Sequence, residues 1–260
     1  MNVPPLTWLF VPADRPDRIE KAIASRAHAV IVDLEDGVPP GSKAKARANV
    51  IEMLAARHDK PVYVRVNAGD DDDLAAVMSL PLAGVVVPKV AAAGDVPDVP
   101  VHAMIESARG VEAAYEIASH PSVRGIALGE ADLRSQTGAL EDGLDYARGR
   151  IVNAAVAAGL QRPPQSVYMN IRDTDGLARS CRRGRELGQL GRQAIHPGQL
   201  EIIEQAYLPT AADVDAARAT IQLLGSDAVG TVDDGTFVDA ALRGAAHMTL
   251  ALADAYGVAE

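Results

Sequence analysis

The chain has 260 residues, 48% of them hydrophobic, and a formal net charge of −10, which argues against a nucleic-acid partner and leaves any anionic ligand dependent on a local basic pocket. Its single cysteine, Cys181, excludes an internal disulfide and fits a reducing compartment. Residues 1–5 lack the basic start and apolar core of a secretory leader, and no apolar run approaches a membrane span, so a cytoplasmic protein without membrane contact is expected.

Residues 6–11 form the first strand candidate, stopped by Pro12, and residues 17–25 read as a helix. Residues 30–32 continue into Asp33-Leu34-Glu35-Asp36-Gly37, so acids crowd a strand end, either as a ligand-facing group or as a helix cap. Pro39-Pro40-Gly41 breaks the chain before a helix over 42–56. Residues 61–66 are the third strand, with Arg65 inside it and Asn67 at its end. An arginine in an apolar strand needs a carboxylate, a phosphate or an opening, because unpaired burial is costly. Asp70 to Asp73 read as a solvated helix start or loop. Residues 84–87 (followed by Pro88-Lys89), 101–105, 123–128, 166–169 and 193–195 complete eight short strands, with helices between most of them. This pattern predicts an α/β fold, a (β/α)8 TIM barrel over residues 1–200. A doubly wound open sheet is the second choice, but no G-x-G-x-x-G turn follows the first strand. Residues 201–260 exceed what a barrel needs. Helices over 211–224 and 237–256 flank a turn-rich piece, 225–235, and read as a C-terminal helical extension or lid.

The stretch 101–133 carries the most chemistry. Two apolar runs flank one helical segment, 110–119, as in a βαβ unit, so the strands should be parallel. Glu106 ends the first run and Gly129-Glu130-Ala131-Asp132 the second, at the edge where α/β sheets and barrels bind ligands. Two carboxylates converging there would repel each other, and a hard ion such as Mg²⁺ would neutralise them. The alternative is a pair of unrelated helix caps or surface acids. On a barrel, one rim would gather Asp33, Glu35, Asp36, Arg65, Asn67, Lys89, Glu106, Asp132, Asn170, Asp173 and His196. Lacking paired histidines or further cysteines, the chain does not suit soft-metal chemistry, and no G-x-S-x-G elbow supports a serine hydrolase. Lys89 fits a Schiff-base nucleophile or a structural ion pair equally well.

Taken together, these residues resemble the HpcH/HpaI aldolase/citrate lyase family, in its citrate lyase beta-like branch, across nearly the whole chain. The resemblance rests on Leu9-Phe10-Val11-Pro12, Asp33-Leu34-Glu35-Asp36-Gly37 with Lys43 and Ala46-Arg47, Arg65-Val66-Asn67, Pro88-Lys89, Ile105-Glu106, Gly129 with Asp132-Leu133, and Ile195-His196-Pro197 with Gln199. Two departures stand out: Asn170 where many relatives have an acid, and the order Gly-Glu-Ala-Asp in place of the commoner Gly-x-Glu-Asp.

The resemblance implies a Mg²⁺-dependent barrel lyase acting on acyl-CoA, usually a homotrimer or hexamer. It implies that Glu106 and Asp132 are the metal ligands and that Arg65 holds the acid product and the developing enolate. Phe237-Val238-Asp239 matches the lid aspartate with which relatives reach a neighbour's site, making Asp239 the candidate acid/base; by itself Asp239 also suits a helix cap. Glu35 and Asp36 are assigned to the catalytic set, binding metal-held water or capping the next helix. Asn67 and Ala131 are taken as further substrate contacts, and Arg15, Lys21, Arg18 and Arg47 as basic candidates for the phosphates of CoA. The expected partners are an acyl-CoA and a small 2-oxo acid. The expected reaction is reversible cleavage of malyl-CoA or citramalyl-CoA to acetyl-CoA plus glyoxylate or pyruvate. Alternatives are a malyl-CoA thioesterase, a citrate lyase beta subunit acting on an acyl-carrier-protein thioester, and a non-catalytic CoA-binding barrel.

Overall fold

A computed structural model of the chain describes residues 3–225, 230–231 and 237–258. Strand β1 (Thr7–Pro12) is followed by α1 (Pro16–Ala24), β2 (Ala29–Asp33), α2 (Lys43–Met53), β3 (Val62–Arg65), α3 (Asp71–Met78) and β4 (Gly84–Val87). Next come β5 (Val101–Ile105), the short helices α4 (Ala108–Glu112) and α5 (Ala114–Ala118), β6 (Val123–Leu128), α6 (Glu130–Thr137) and α7 (Asp145–Ala157). Helix α8 (Thr174–Glu186), β7 (Arg192–Ala194) and α9 (Leu200–Tyr207) complete this part. By its contacts the chain divides into two compact units, residues 5–206 and residues 207–260 with 1–4.

The larger unit is an α/β fold. Its sheet is wholly parallel, with strand order β6-β5-β4-β3-β2-β1-β7, and it curls as a half-barrel. Strand β2 (AVIVD) is buried at every position. Such unbroken apolar runs belong to parallel strands covered on both faces. Inside the curl, Trp8, Ala29, Ile31, Tyr63, Val86 and Met104 pack as one cluster with Phe10 against it. The rings of Trp8 and Tyr63 lie 5.0 Å apart, and His102 meets Tyr63 edge-on at 5.0 Å. A Cβ on Gly125 would sit 2.6 Å from His102 Nδ1, so β6 can pass the imidazole only as glycine. Burial pushes the His102 pKa down to about 4, keeping it neutral inside the sheet.

Three expectations change. The seventh predicted strand, 166–169, makes no ladder: Gln165 forms a single parallel bridge with Arg192, and the sheet has seven strands. Pro163 and Pro164 bring no N–H groups to that edge, and Ser166 instead accepts from the Glu130 N–H with its Oγ (3.2 Å). The acids from Asp70 to Asp73 do start a helix, but they are not all solvated. Asp70 caps α3, whereas Asp73 is 1% exposed and accepts from Arg47 Nε (2.7 Å), Asn67 N (3.0 Å) and Asn67 Nδ2 (2.6 Å). The last helix begins later than the expected 237.

The smaller unit contains α10 (Ala211–Gly225), the antiparallel pair β8 (Gly230–Thr231) and β9 (Phe237–Val238), and α11 (Arg243–Tyr256). Tyr256 donates its hydroxyl to Pro4 O (2.9 Å). Strand pairing of Phe237 and Val238, and the Asp239 carboxylate accepting from Ala241 N (2.8 Å), start the helical turn only at Ala240. Most of the expected hinge, 226–229 and 232–236, lies outside the described residues. No helix among the described residues is long and apolar enough to cross a membrane.

Asp73 gives the fold a direct test. Asp73→Ala removes the buried acceptor of Arg47 Nε and of the Asn67 backbone N–H, while Asp70 and Leu34 O keep the outer bonds, and should cost about 2 kcal/mol of stability. Urea unfolding should show this as a lower midpoint at an unchanged slope.

Candidate active site

A cavity of about 380 Å³ opens at the carboxyl ends of the strands. Its polar lining includes Asp33, Asp36, Arg65, Glu106 and Asp132, and its apolar lining includes Phe10 and Met104. Parallel pairing brings these groups together, because every strand delivers its last residues to the same edge.

Arg65 closes β3. It donates from Nε and Nη2 to the two oxygens of Asp33, each at 2.7 Å, and its Nη1 lies 3.0 Å from Glu35 Oε2 without hydrogen-bond geometry. The guanidinium stacks over the Phe10 ring at 5.0 Å. Burial opposes its charge, but Asp33, Glu35 and Glu106 override that and hold it protonated. Asp33 is fixed in turn by the N–H groups of Glu35 (2.9 Å) and Gly37 (2.8 Å). Glu35 is buried, and Lys89 Nζ bonds its Oε1. Burial pushes the Glu35 carboxyl up, with Lys89 and Arg65 pulling the other way. Lys89 itself has φ 58, a left-handed conformation costing roughly 1–3 kcal/mol for such a side chain. Below this layer, Lys43 Nζ donates to Leu34 O (2.6 Å), Glu35 O (2.5 Å) and Asn67 Oδ1 (2.8 Å).

Glu106 immediately follows β5 and is 6% exposed. Its side chain lies on the backbone of Gly129, where a Cβ would come within 2.5 Å of Glu106 Cγ. Glycine is therefore required at the turn from β6 into α6. Glu106 Oε2 is buried with no hydrogen-bond partner. Burial first, then the charges of Glu35 and Asp132, push its pKa up to about 8, against the pull of Arg65 and Lys89. Glu130 and Asp132 both belong to the first turn of α6, yet they part company. Both line the cavity, but Glu130 is buried with its carboxylate bound to Arg148, whereas Asp132 is exposed.

The predicted site residues thus separate. Arg65, Asp36, Glu106, Asp132 and Ala131 line the cavity, with Glu35 behind Arg65. Asn67 does not line it; Lys43, Leu34 O and Asp73 take up its amide. Arg15 is exposed and pairs with Asp17 (3.2 Å), and Lys21 is exposed; neither lines the cavity. Arg47 holds Asp73. Asp173 caps α8 and bonds the Tyr168 hydroxyl (2.7 Å), and His196 accepts from Gly198 N (3.1 Å). Asp239 belongs to the smaller unit as the cap already described. The sequence reading passed over Met104, Gln193 and Ile195 in the lining. Their signal was the two-residue alternation along each strand, which sends every second side chain to one face.

An orphaned, buried Glu106 oxygen facing the cavity that Asp132 also lines suits a hard divalent cation, which takes one or two carboxylates and fills its shell with water and ligand oxygens. Among the described residues, no group of three or more His, Cys, Asp and Glu gathers as a closed metal cage.

The model of the family described as HpcH/HpaI aldolase/citrate lyase matches residues 6–100 and 94–197. A (3S)-malyl-CoA thioesterase of Cereibacter sphaeroides is 36% identical over 82% of this chain and 80% of the relative. An L-malyl-CoA/beta-methylmalyl-CoA lyase of the same species is 29% identical over 90% of this chain and 89% of the relative. The crystal structure of protein CitE from Mycobacterium tuberculosis, in complex with magnesium, acetoacetate and coenzyme A, superposes with a TM-score of 0.84 at 31% identity, covering 97% of this chain and 98% of that one. Magnesium is a cofactor in this group of proteins.

The raised Glu106 pKa sets a sign for stability against pH. A carboxyl that holds its proton up to about 8 when folded, against 4.5 otherwise, binds more protons in the folded state between those values. The metal-free protein should therefore lose stability as pH rises through that window. Melting temperatures of metal-free protein from pH 5 to 8 should fall more steeply for the wild type than for Glu106→Gln, which cannot ionise. Parallel slopes would refute the assignment.

Proposed function

The chain belongs to the HpcH/HpaI aldolase/citrate lyase family, and on that footing we propose that it reversibly cleaves a 3-hydroxyacyl-CoA bearing a carboxylate, of the malyl-CoA or citramalyl-CoA type. The products are acetyl-CoA and a 2-oxo acid, glyoxylate or pyruvate. The observation that carries the reading is one cavity lined both by a guanidinium locked in place, Arg65, and by two carboxylates on neighbouring strand ends, Glu106 and Asp132.

Glu106 and Asp132 would hold the Mg²⁺, whose contribution when bound is Lewis-acid stabilisation of charge on the substrate's oxygens. In the cleavage direction the hydroxyl gives its proton to Asp239 of a neighbouring protomer as base, the bond between the carbinol carbon and the α-carbon breaks, and the electron pair moves onto the thioester as an enolate. Arg65 keeps N–H groups on Nη1 and Nη2 beyond those facing Glu35 and Asp33, and these stabilise the enolate or the oxo-acid carboxylate. Donors fixed before the reaction contribute roughly 3–4 kcal/mol each. Asp33 holds Arg65 at that angle, with Glu35 beside it held by Lys89, and Asp36 lines the mouth. Phe10 and Met104 keep the cavity wall apolar, which limits stray protonation of the enolate.

On this reading residues 1–200 act as a closed (β/α)8 barrel, with 166–169 in the seventh strand's place, and 201–260 as a lid. Asp239 of a neighbouring protomer then delivers the proton to the α-carbon. Phe237 is 61% exposed and Leu242 37% exposed, apolar surface beside Asp239 that supports docking on another copy in a homotrimer or hexamer. Thioester hydrolysis is the second reading, favoured by the 36% identity to a malyl-CoA thioesterase. A carrier-protein thioester in place of free CoA is the third.

Three outcomes check the proposal. Mass analysis of acetyl-CoA with glyoxylate or pyruvate should show Mg²⁺-dependent condensation; release of free CoA from malyl-CoA without any condensation would select the thioesterase. Arg65→Lys should lower kcat/KM at least about 100-fold, because lysine cannot reproduce the planar fork; near-normal kinetics would reduce Arg65 to a structural ion pair. Co-assembled inactive Asp239→Asn and Glu106→Ala protomers should regain part of the activity. Mixtures that stay dead while re-assembled wild type recovers would confine Asp239 to capping its own turn.

A further inference from the structure

The first turn of α6 carries two acids two residues apart; both residues line the cavity, but the Glu130 carboxylate is already held by a buried arginine. Glu130 points back into the protein, where Arg148 donates from Nε to its Oε1 (2.8 Å) and from Nη2 to its Oε2 (2.8 Å). The Arg148 side chain is 2% exposed. It also reaches Asp145 Oδ1 (3.2 Å), Glu141 Oε1 (2.6 Å) and the Glu141 carbonyl (3.3 Å). Burial opposes its charge, but Glu130 and Glu141 keep it protonated. The same residue that Arg148 grips is pinned through its backbone, since Glu130 N donates to Ser166 Oγ (3.2 Å), while Gly129 N donates to Ile105 O (2.9 Å). Gly129, in turn, is the residue on which Glu106 lies.

We propose that Arg148 is a positioning residue for the metal site. By taking both oxygens of Glu130 it withdraws that carboxylate from the donor set, and it fixes the first turn of α6 so that Asp132 meets the same cation as Glu106. This rests on the reading of Glu106 and Asp132 as the Mg²⁺ ligands. A turn that could rotate by about half a turn would offer Glu130 in place of Asp132; a buried bidentate pair, on a guanidinium whose other donors are also occupied, forbids that rotation. Groups that orient metal ligands from behind alter affinity by roughly 10–100-fold when replaced.

Titration calorimetry with Mg²⁺ alone tests this without any turnover. Asp132→Asn, which removes a ligand, should weaken binding by more than about 100-fold. Glu130→Gln keeps the shape and one acceptor, and Arg148→Lys keeps the charge but not the fork; each should weaken binding about 10-fold. Arg183→Ser, which breaks only outer contacts, to Asp145 (2.6 Å) and Glu186 (3.0 Å), should bind Mg²⁺ as the wild type does. Should Arg148→Lys not fold, Glu130→Gln decides alone. A Glu130→Gln loss as large as that of Asp132→Asn would make Glu130 a ligand and overturn the proposal. Wild-type affinity with only a lower melting temperature in both variants would reduce Arg148 to a structural role and overturn it too. If Asp132→Asn itself binds Mg²⁺ normally, the metal-site reading falls first and the inference with it.

Discussion

Arg65 and Asp33 are the pair on which the rest of the site depends. A guanidinium only 11% exposed, on the last residue of a central strand, is stable only with a carboxylate in bidentate reach. Asp33 meets that requirement because β2 and β3 run parallel in register, placing Asp33 opposite Arg65. The same carboxylate accepts from the backbone of Glu35 and Gly37, so the pair also shapes the loop that carries Glu35 and Asp36. Lys43, Asn67, Asp73 and Arg47 extend the hold outward as a relay of occupied donors and acceptors. The residues that touch the cavity are therefore few, and those that keep them still are many.

Across the cavity the balance of charge reverses. Glu106 is buried beside Glu35 and Asp132 with one oxygen unbonded, and Arg65 does not suffice to hold it ionised near neutral pH. An acidic chain that gathers more carboxylates at one mouth calls for a cation of its own, and hard oxygen donors with room for water and ligand oxygens favour Mg²⁺. The need for a metal follows here from electrostatics within the fold, in agreement with the magnesium bound by related proteins.

Gly-Glu-Ala-Asp sets two acids two residues apart in the first turn of α6, and the fold explains how the chain accommodates both. Side chains two residues apart on a helix diverge by about half a turn, so one acid of the pair must face inward. Arg148, on α7, gives that inward acid a partner. An acid stranded there without one would carry the full cost of a buried charge.

The sequence by itself determined the elements that depend on local pattern. Short runs of three to six residues marked seven strands within one residue of their observed limits. The same pattern singled out Arg65, Glu106 and Asp132, because a charged residue at an apolar strand's end is conspicuous without any partner in view. It failed where the deciding contact lies far along the chain. Segment 166–169 looks like a strand, but prolines before it and a hydroxyl turned toward Glu130 leave it a single bridge. Asp73 looks solvated until Arg47, twenty-six residues earlier, reaches it. Asn67 stands at a strand end like a ligand group, yet Lys43 and Asp73 draw its amide away from the cavity. Nothing in Gly-Glu-Ala-Asp tells which acid is free; only the burial of Arg148 beside Glu130 decides it. Periodicity and strand-end position are written locally, whereas the pairing of a buried charge is fixed only when the sheet and its helices bring distant residues within hydrogen-bond reach.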